Sequence, residues 1–212
     1  MAYSALEENH GHKFYEQNAL LENTHFDEVI IFRPKEETIP PKDPITMMLR
    51  HHTGTEILSW LGTKLTMKDS SLHALKTYGE CQLVRSQIAY VSVRDSGVVY
   101  IDKDSHIDRL TSNGIVYMDS IDVVKDPIRL ETGGKICLLV DKDPAISMRK
   151  YIKKMQDYFE SRIDLSGHRG LIMKYTEDTA NAKYQFNSIV NTNRIWLFVK
   201  RFDTHSTVKS PS

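Results

Sequence analysis

The stretch GGKICLLVDKDPAISMRKYIKK, Gly133 to Lys154, decides how the chain is read. Five apolar residues, Ile136 to Val140, run straight into Asp141. Asp143 and Pro144 then open a segment with helical spacing. An aspartate at the end of an apolar strand has three readings. It can hold the metal of a bound nucleotide, mark the tip of a catalytic sheet, or turn a corner.

The first reading needs a phosphate loop of the form G-x-x-x-x-G-K-[ST]. LGTK at 61–64 has the wrong interval, and ETGGKI at 131–136 lacks the leading glycine. Metal-assisted cleavage needs clustered carboxylates near a lysine or histidine. DKDSHID, 102–108, offers Asp102, Asp104, His106 and Asp108, and it also reads as an acidic turn-rich loop. No G-x-S-x-G elbow is present, and neither Cys81 nor Cys137 sits in a catalytic signature. No histidine spacing matches zinc ligands, so no metal and no cofactor is expected. The chain reads as a non-enzyme, and Asp141 reads as a corner residue.

Outward from that corner, a helix is predicted over 144–160. Asp143 serves as N-cap, and Pro144 takes the first helical position. Ile146, Met148, Ile152, Met155, Tyr158 and Phe159 make its apolar side. Arg149, Lys150, Lys153 and Lys154 lie mostly opposite. On the other flank, PIRLETGGKICLLVD, 127–141, reads as a hairpin turning at Gly133-Gly134. Strands are expected at 26–32, 81–95, 97–102, 114–124, 170–176 and 194–203. The segments 45–62 and 70–79 read as short helices, the second with a serine cap and Gly79 as its stop. No internal repeat stands out. The predicted fold is mainly β with some α: a jelly-roll-like β-sandwich core with a crossing helix and a helical N-terminal part. The expected parts are an arm and proline-rich connector (1–44), a short helical region (45–80), a β-rich core (81–203) and a disordered tail (204–212).

The 212-residue chain is neutral overall, 40% apolar and 26% charged, which suits a folded globular protein. The neutrality hides an asymmetry. Residues 142–212 carry 13 Lys/Arg against 7 Asp/Glu, leaving 15 against 21 in residues 1–141. A basic C-terminal third attracts phosphates or anionic lipid. Lys174, Lys200 and Arg201 add to the four cations of the predicted helix, and Tyr175, Tyr184, Phe186, Trp196, Phe198 and Phe202 interleave with them. Cations with stacking rings suit single-stranded nucleic acid. The polar first ten residues show no secretory signal, and no apolar run approaches a membrane span. The two distant cysteines read as buried thiols in a reducing compartment.

The order of features from Gly114 to Arg201 resembles the central domain of the 30K superfamily of plant-virus cell-to-cell movement proteins. GIVYMDSIDVV stands for the first strand of that domain, with Ile115 where tyrosine is frequent. GGKICLLVD stands for the second, with Gly134 before the strand and Asp141 at its end. The helix and NRIWLFVKRFD follow in the family's order. The resemblance implies a non-enzymatic transport protein that binds single-stranded nucleic acid, RNA above all. It also implies self-association, peripheral contact with host membranes, and host plasmodesmal or other viral partners. Its expected place is the host cytoplasm and plasmodesmata. The alternative is a virion structural protein, matrix or coat, with a related sandwich.

Overall fold

A computed structural model describes residues 6–9, 12–34, 43–140, 146–164, 171–176 and 195–201. In chain order the strands are β1 (Leu6–Asn9), β2 (His12–Tyr15), β3 (Ala19–Glu22), β4 (His25–Phe32), β5 (Ile45–Arg50), β6 (Thr53–Ser59), β7 (Thr63–Lys68), β8 (Ser71–Thr77) and β9 (Glu80–Val84). They continue as β10 (Gln87–Val93), β11 (Val98–Ile101), β12 (His106–Ser112), β13 (Ile115–Met118), β14 (Ile128–Leu130) and β15 (Lys135–Val140). After the helix α1 (Met148–Arg162) come β16 (Ile163–Asp164), β17 (Leu171–Thr176) and β18 (Ile195–Arg201).

Two nine-stranded sheets result. The first runs β1-β2-β4-β6-β8-β10-β12-β14-β16 and the second β17-β18-β15-β13-β11-β9-β7-β5-β3. Only β1 and β2 pair antiparallel; every other described pair is parallel. From β3 to β15, successive strands alternate between the sheets, and each coil lies against the one before it. The fold is a β-solenoid.

The coil follows from side-chain alternation. Parallel strands buried on one face show a period of two. β7 reads Thr63, Leu65, Met67 inward and Lys64, Thr66, Lys68 toward the outside. Successive coils then stack like on like. Ile30, Ile57, Leu75, Val91 and Leu110 form one inner row of the first sheet. Met47, Leu65, Cys81, Val99, Val116 and Ile136 form an inner row of the second, and Leu49, Met67, Leu83, Ile101, Met118 and Leu138 form the next. All are buried. Thr53, Ser71, Gln87 and His106 are successive neighbours, at steps of 18, 16 and 19 residues.

The corners carry equally regular chemistry. On one side Asn23, His51, Asp69 and Arg85 all turn the chain at φ between 46° and 53°. Each is followed by a polar residue, and His52, Ser70 and Ser86 are buried. The amide of His52 donates to Ser70 Oγ (3.2 Å), that of Ser70 to Ser86 Oγ (3.3 Å), and that of Ser86 to Ser105 Oγ (3.1 Å). Amides turned away from the sheets are thereby satisfied by the following coil. On the opposite side Gly79, Gly97, Gly114 and Gly134 recur. A Cβ on Gly114 would stand 2.4 Å from the Gly97 carbonyl oxygen, and one on Gly134 would stand 2.4 Å from that of Ser112.

Several expectations are corrected by this arrangement. The jelly-roll sandwich is overturned, because its strands would be antiparallel and these are parallel coils. The helical N-terminal part is strand: 45–62 contains β5 and β6 separated by the left-handed His51, and 70–79 contains β8. The hairpin at Gly133-Gly134 is a corner, since β14 lies in the first sheet and β15 in the second. The solenoid already includes β2 and β3, inside the expected arm. Residues 35–42 of the proline-rich connector and the 204–212 tail lie outside the described residues.

Candidate functional site

The helix α1 interrupts the coil between β15 and β16. Its N-cap is Ser147, whose hydroxyl accepts from the Lys150 amide (3.4 Å), so the helix begins four residues after the predicted Pro144. Phe159 is buried, and Tyr151, Met155 and Tyr158 pack against the core. The Tyr158 hydroxyl donates to Asp122, and Arg162 donates to the carbonyls of Val124 and Lys125. Burial, aided by the Asp122 carboxylate, pushes the Tyr158 phenol up to about 12. These contacts fix the helix against the corner at 120–125.

Fixing that side presents the other. Arg149, Lys150, Lys153 and Lys154 are all exposed. At about 100° per residue they cover one arc of roughly 140° within two turns. The first turn holds no acidic residue. Cations there oppose the positive end of the helix dipole, an arrangement that disfavours the helix and concentrates positive potential. Asp157 and Glu160 begin only in the later turns.

The three remaining cations lie on the neighbouring strands. Lys174 is on β17, which α1 contacts. Lys200 pairs in register with Leu139 and Thr176, and Arg201 with Val140, the last residue of β15 before the chain leaves for α1. The fold therefore gathers all seven predicted cations on α1 and on two strands at the same end of the solenoid. Among the rings, Tyr175, Trp196 and Phe198 lie on β17 and β18. Tyr184, Phe186 and Phe202 fall outside the described residues, as do Asp141, Asp143 and Pro144. Gly114 and Gly134 belong to the glycine corner, where both are buried.

The acidic stretch at 102–108 is a corner, 102–105, followed by the first residues of β12. The Asp102 carboxylate accepts from the Arg85 amide (3.2 and 3.1 Å) and from the Ser105 hydroxyl (2.6 Å). Asp104, His106 and Asp108 are exposed. Among the described residues no three His, Cys, Asp or Glu side chains gather to hold a metal. Cys81 is fully buried within an inner row, and its thiol is pushed far up by burial.

One surface feature escaped the sequence reading. Tyr100 and Tyr117 stack on the outside of the second sheet, ring centroids 4.7 Å apart and 8° from parallel. With Gln82, Asp102 and Asp119 they line a shallow depression of about 150 Å³. The signal was present: GVVYID at 97–102 and GIVYMD at 114–119 are the same coil segment written twice. Comparison with family models, curated proteins and solved structures finds no match.

Proposed function

We propose that the protein is a non-enzymatic binding scaffold that holds single-stranded nucleic acid on the basic face of α1 and the adjoining end of the solenoid. The observation that carries this reading is the set of four exposed cations in the first two turns of α1, set against the helix dipole. Packing of α1 on the core fixes the helix that carries those charges, which reduces the backbone entropy lost when a phosphate backbone is bound. The expected binding is insensitive to sequence, since phosphate contacts position without specifying. No helix among the described residues is long and apolar enough to cross a membrane. Carriage of the nucleic acid between plant cells, which the resemblance implies, is the wider form of the proposal. A fluorescent fusion collecting at cell-wall junctions tests that wider form.

The direct test is fluorescence anisotropy of a labelled single-stranded oligonucleotide across a salt series. Each phosphate contact contributes about 0.7 to the slope of log affinity against log salt on a single strand. Replacing Arg149, Lys150, Lys153 and Lys154 with Gln should lower the slope by up to about 3 if each meets a phosphate. Absence of binding at low salt, or binding indifferent to salt, would sink the reading.

A further inference from the structure

The outer face of the second sheet carries one motif twice. Tyr-x-Asp occurs as Tyr100-Ile101-Asp102 and again as Tyr117-Met118-Asp119. Tyr100 and Tyr117 are register partners on β11 and β13, so the two copies lie on successive coils, about 4.8 Å apart. Within each copy the ring and the carboxylate are two residues apart, which puts them on one face at a spacing of roughly 7 Å. In the same row Gln82 precedes Tyr100 and Cys137 follows Tyr117. The motif is therefore confined to two coils, and Gln82 adds an amide to the depression that it lines. Its parts are held in place. The paired rings restrict one another, their planes 8° from parallel. The Asp102 carboxylate is pinned by the Arg85 amide and the Ser105 hydroxyl, and Asp119 accepts from the Lys103 amide at 3.2 Å. In both copies an amide of the preceding coil fixes the acid. Groups already fixed lose little freedom when a ligand arrives.

The lining selects the ligand. Gln82, Asp102 and Asp119 offer hydrogen-bond acceptors, and the phenol rings offer apolar surface with a polar tip. None of the lining residues is a cation. A phosphate, sulfate or carboxylate group would find no partner there and would meet two negative charges. At about 150 Å³ the depression is too small and shallow to enclose a drug-sized molecule, so it suits part of a longer ligand passing over it. From this geometry we infer that the paired Tyr-x-Asp surface is a binding site for a neutral oligosaccharide. Sugar hydroxyls donate to the two carboxylates and to the Gln82 carbonyl, and the apolar C–H faces of the sugar rest against the tyrosine rings. A ligand built of repeating units matches a site built of repeated coils. The site uses no residue of the cationic helix and does not depend on nucleic-acid binding.

The test is binding of the full-length chain to a printed array of neutral oligosaccharides, with sulfated and sialylated ones alongside. The strongest neutral ligand is then titrated calorimetrically at low and high salt. Binding to a neutral oligosaccharide with an affinity that salt leaves unchanged is expected. Tyr100→Ala removes half of the paired platform and should weaken it about tenfold. Asp119→Asn should weaken it by about tenfold as well, through loss of hydrogen bonds to a charged acceptor. Asp119 is exposed and Asn keeps its shape, so this second variant reports on the site even where Tyr100→Ala disturbs folding. Thermal melts followed by circular dichroism identify such a disturbance. Absence of neutral ligands on the array, or unchanged affinity in Asp119→Asn, overturns the inference. Binding restricted to sulfated or sialylated sugars and abolished by salt also overturns it, because such binding belongs to the cationic helix.

Discussion

Gly114 and Gly133 differ in why they are glycine, and that difference is measurable. Gly133 sits at φ +86° with open space around it, its nearest outside atom 3.6 Å from a would-be Cβ. Gly133→Ala meets only backbone strain, roughly 1 kcal/mol. Gly114→Ala meets a backbone carbonyl at 2.4 Å that cannot rotate away. We expect a loss of about 3 kcal/mol, the upper end for overpacking, read as the shift in urea midpoint multiplied by the denaturant slope. Similar losses in the two variants would refute the steric account. His52 supplies a second prediction at this scale. It is fully buried, its Nδ1 lies 2.8 Å from Thr24 Oγ1, and its Nε2 has no partner. Burial first, and then the nearby His25, lowers it to about 4, against about 6.5 in the unfolded chain. Between those values the unfolded state holds the extra proton, so stability falls as pH drops from 6.5 toward 4 and this contribution levels off below 4. The full effect is on the order of 3 kcal/mol. It should be missing from His52→Gln, and denaturant titrations at pH 7, 5 and 4 compare the two proteins. An equally steep acid loss in both would assign the effect elsewhere.

At the scale of single elements, the strands bounded by turn signals were legible. FDEVIIF and GVVYID alternate cleanly and end at polar or glycine-containing turns, and both are strands. ITMMLRHHTGTEILSWLG misled because its apolar residues satisfy spacings of two and of three to four at once. Its turn is made by His51 at φ +50°, a residue type that carries no turn signal as strong as glycine or proline. SSLHALKTYG misled through Ser70, which resembles a helix cap. Here its Oγ caps the coil, accepting the His52 amide. The α-helix was readable from its apolar spacing, while its start was not, since Asp143-Pro144 and Ser147 are rival caps and the structure uses Ser147. The inner rows give an element-scale prediction. Leu75 is fully buried between Ile57 and Val91 on adjacent coils. Leu75→Ala should cost about 3 kcal/mol, whereas Leu58→Ala, half-buried on the outer face of β6, should cost well under half of that. Thermal unfolding of the two variants checks the contrast, and equal losses would contradict the stacked-row description.

For the whole molecule, the repeat was written in the sequence but at uneven intervals. Gly79, Gly97, Gly114 and Gly134 are spaced by 18, 17 and 20 residues, which blurs any fixed period. Without the repeat, a mostly β pattern defaults to a sandwich. The candidate interface was more accessible, because charge and helical spacing are local properties, whereas the place of Lys200 and Arg201 beside β15 depends on the out-of-order strand pairing. A solenoid is stabilised by contacts between neighbouring coils, so its opening should be graded along its length. Amide exchange should be slowest in β7 to β12, which have coils on both sides, and fastest in β16 to β18. Uniform protection across the sheets would show instead that the chain opens as one unit.

The corner that admits α1 has a consequence for how such a protein acquires new abilities. Ile128 and Ile163 are register partners although 35 residues apart, so one turn carries a whole helix while β16 still stacks on β14. Lengthening a closed segment is inexpensive in free energy, about 0.6 kcal/mol for each doubling. Descent with insertion can therefore add chemistry at one turn without re-solving the packing of the rest. Lineages of this protein should diverge mainly in what they carry at the turns and only slowly in the rows beneath.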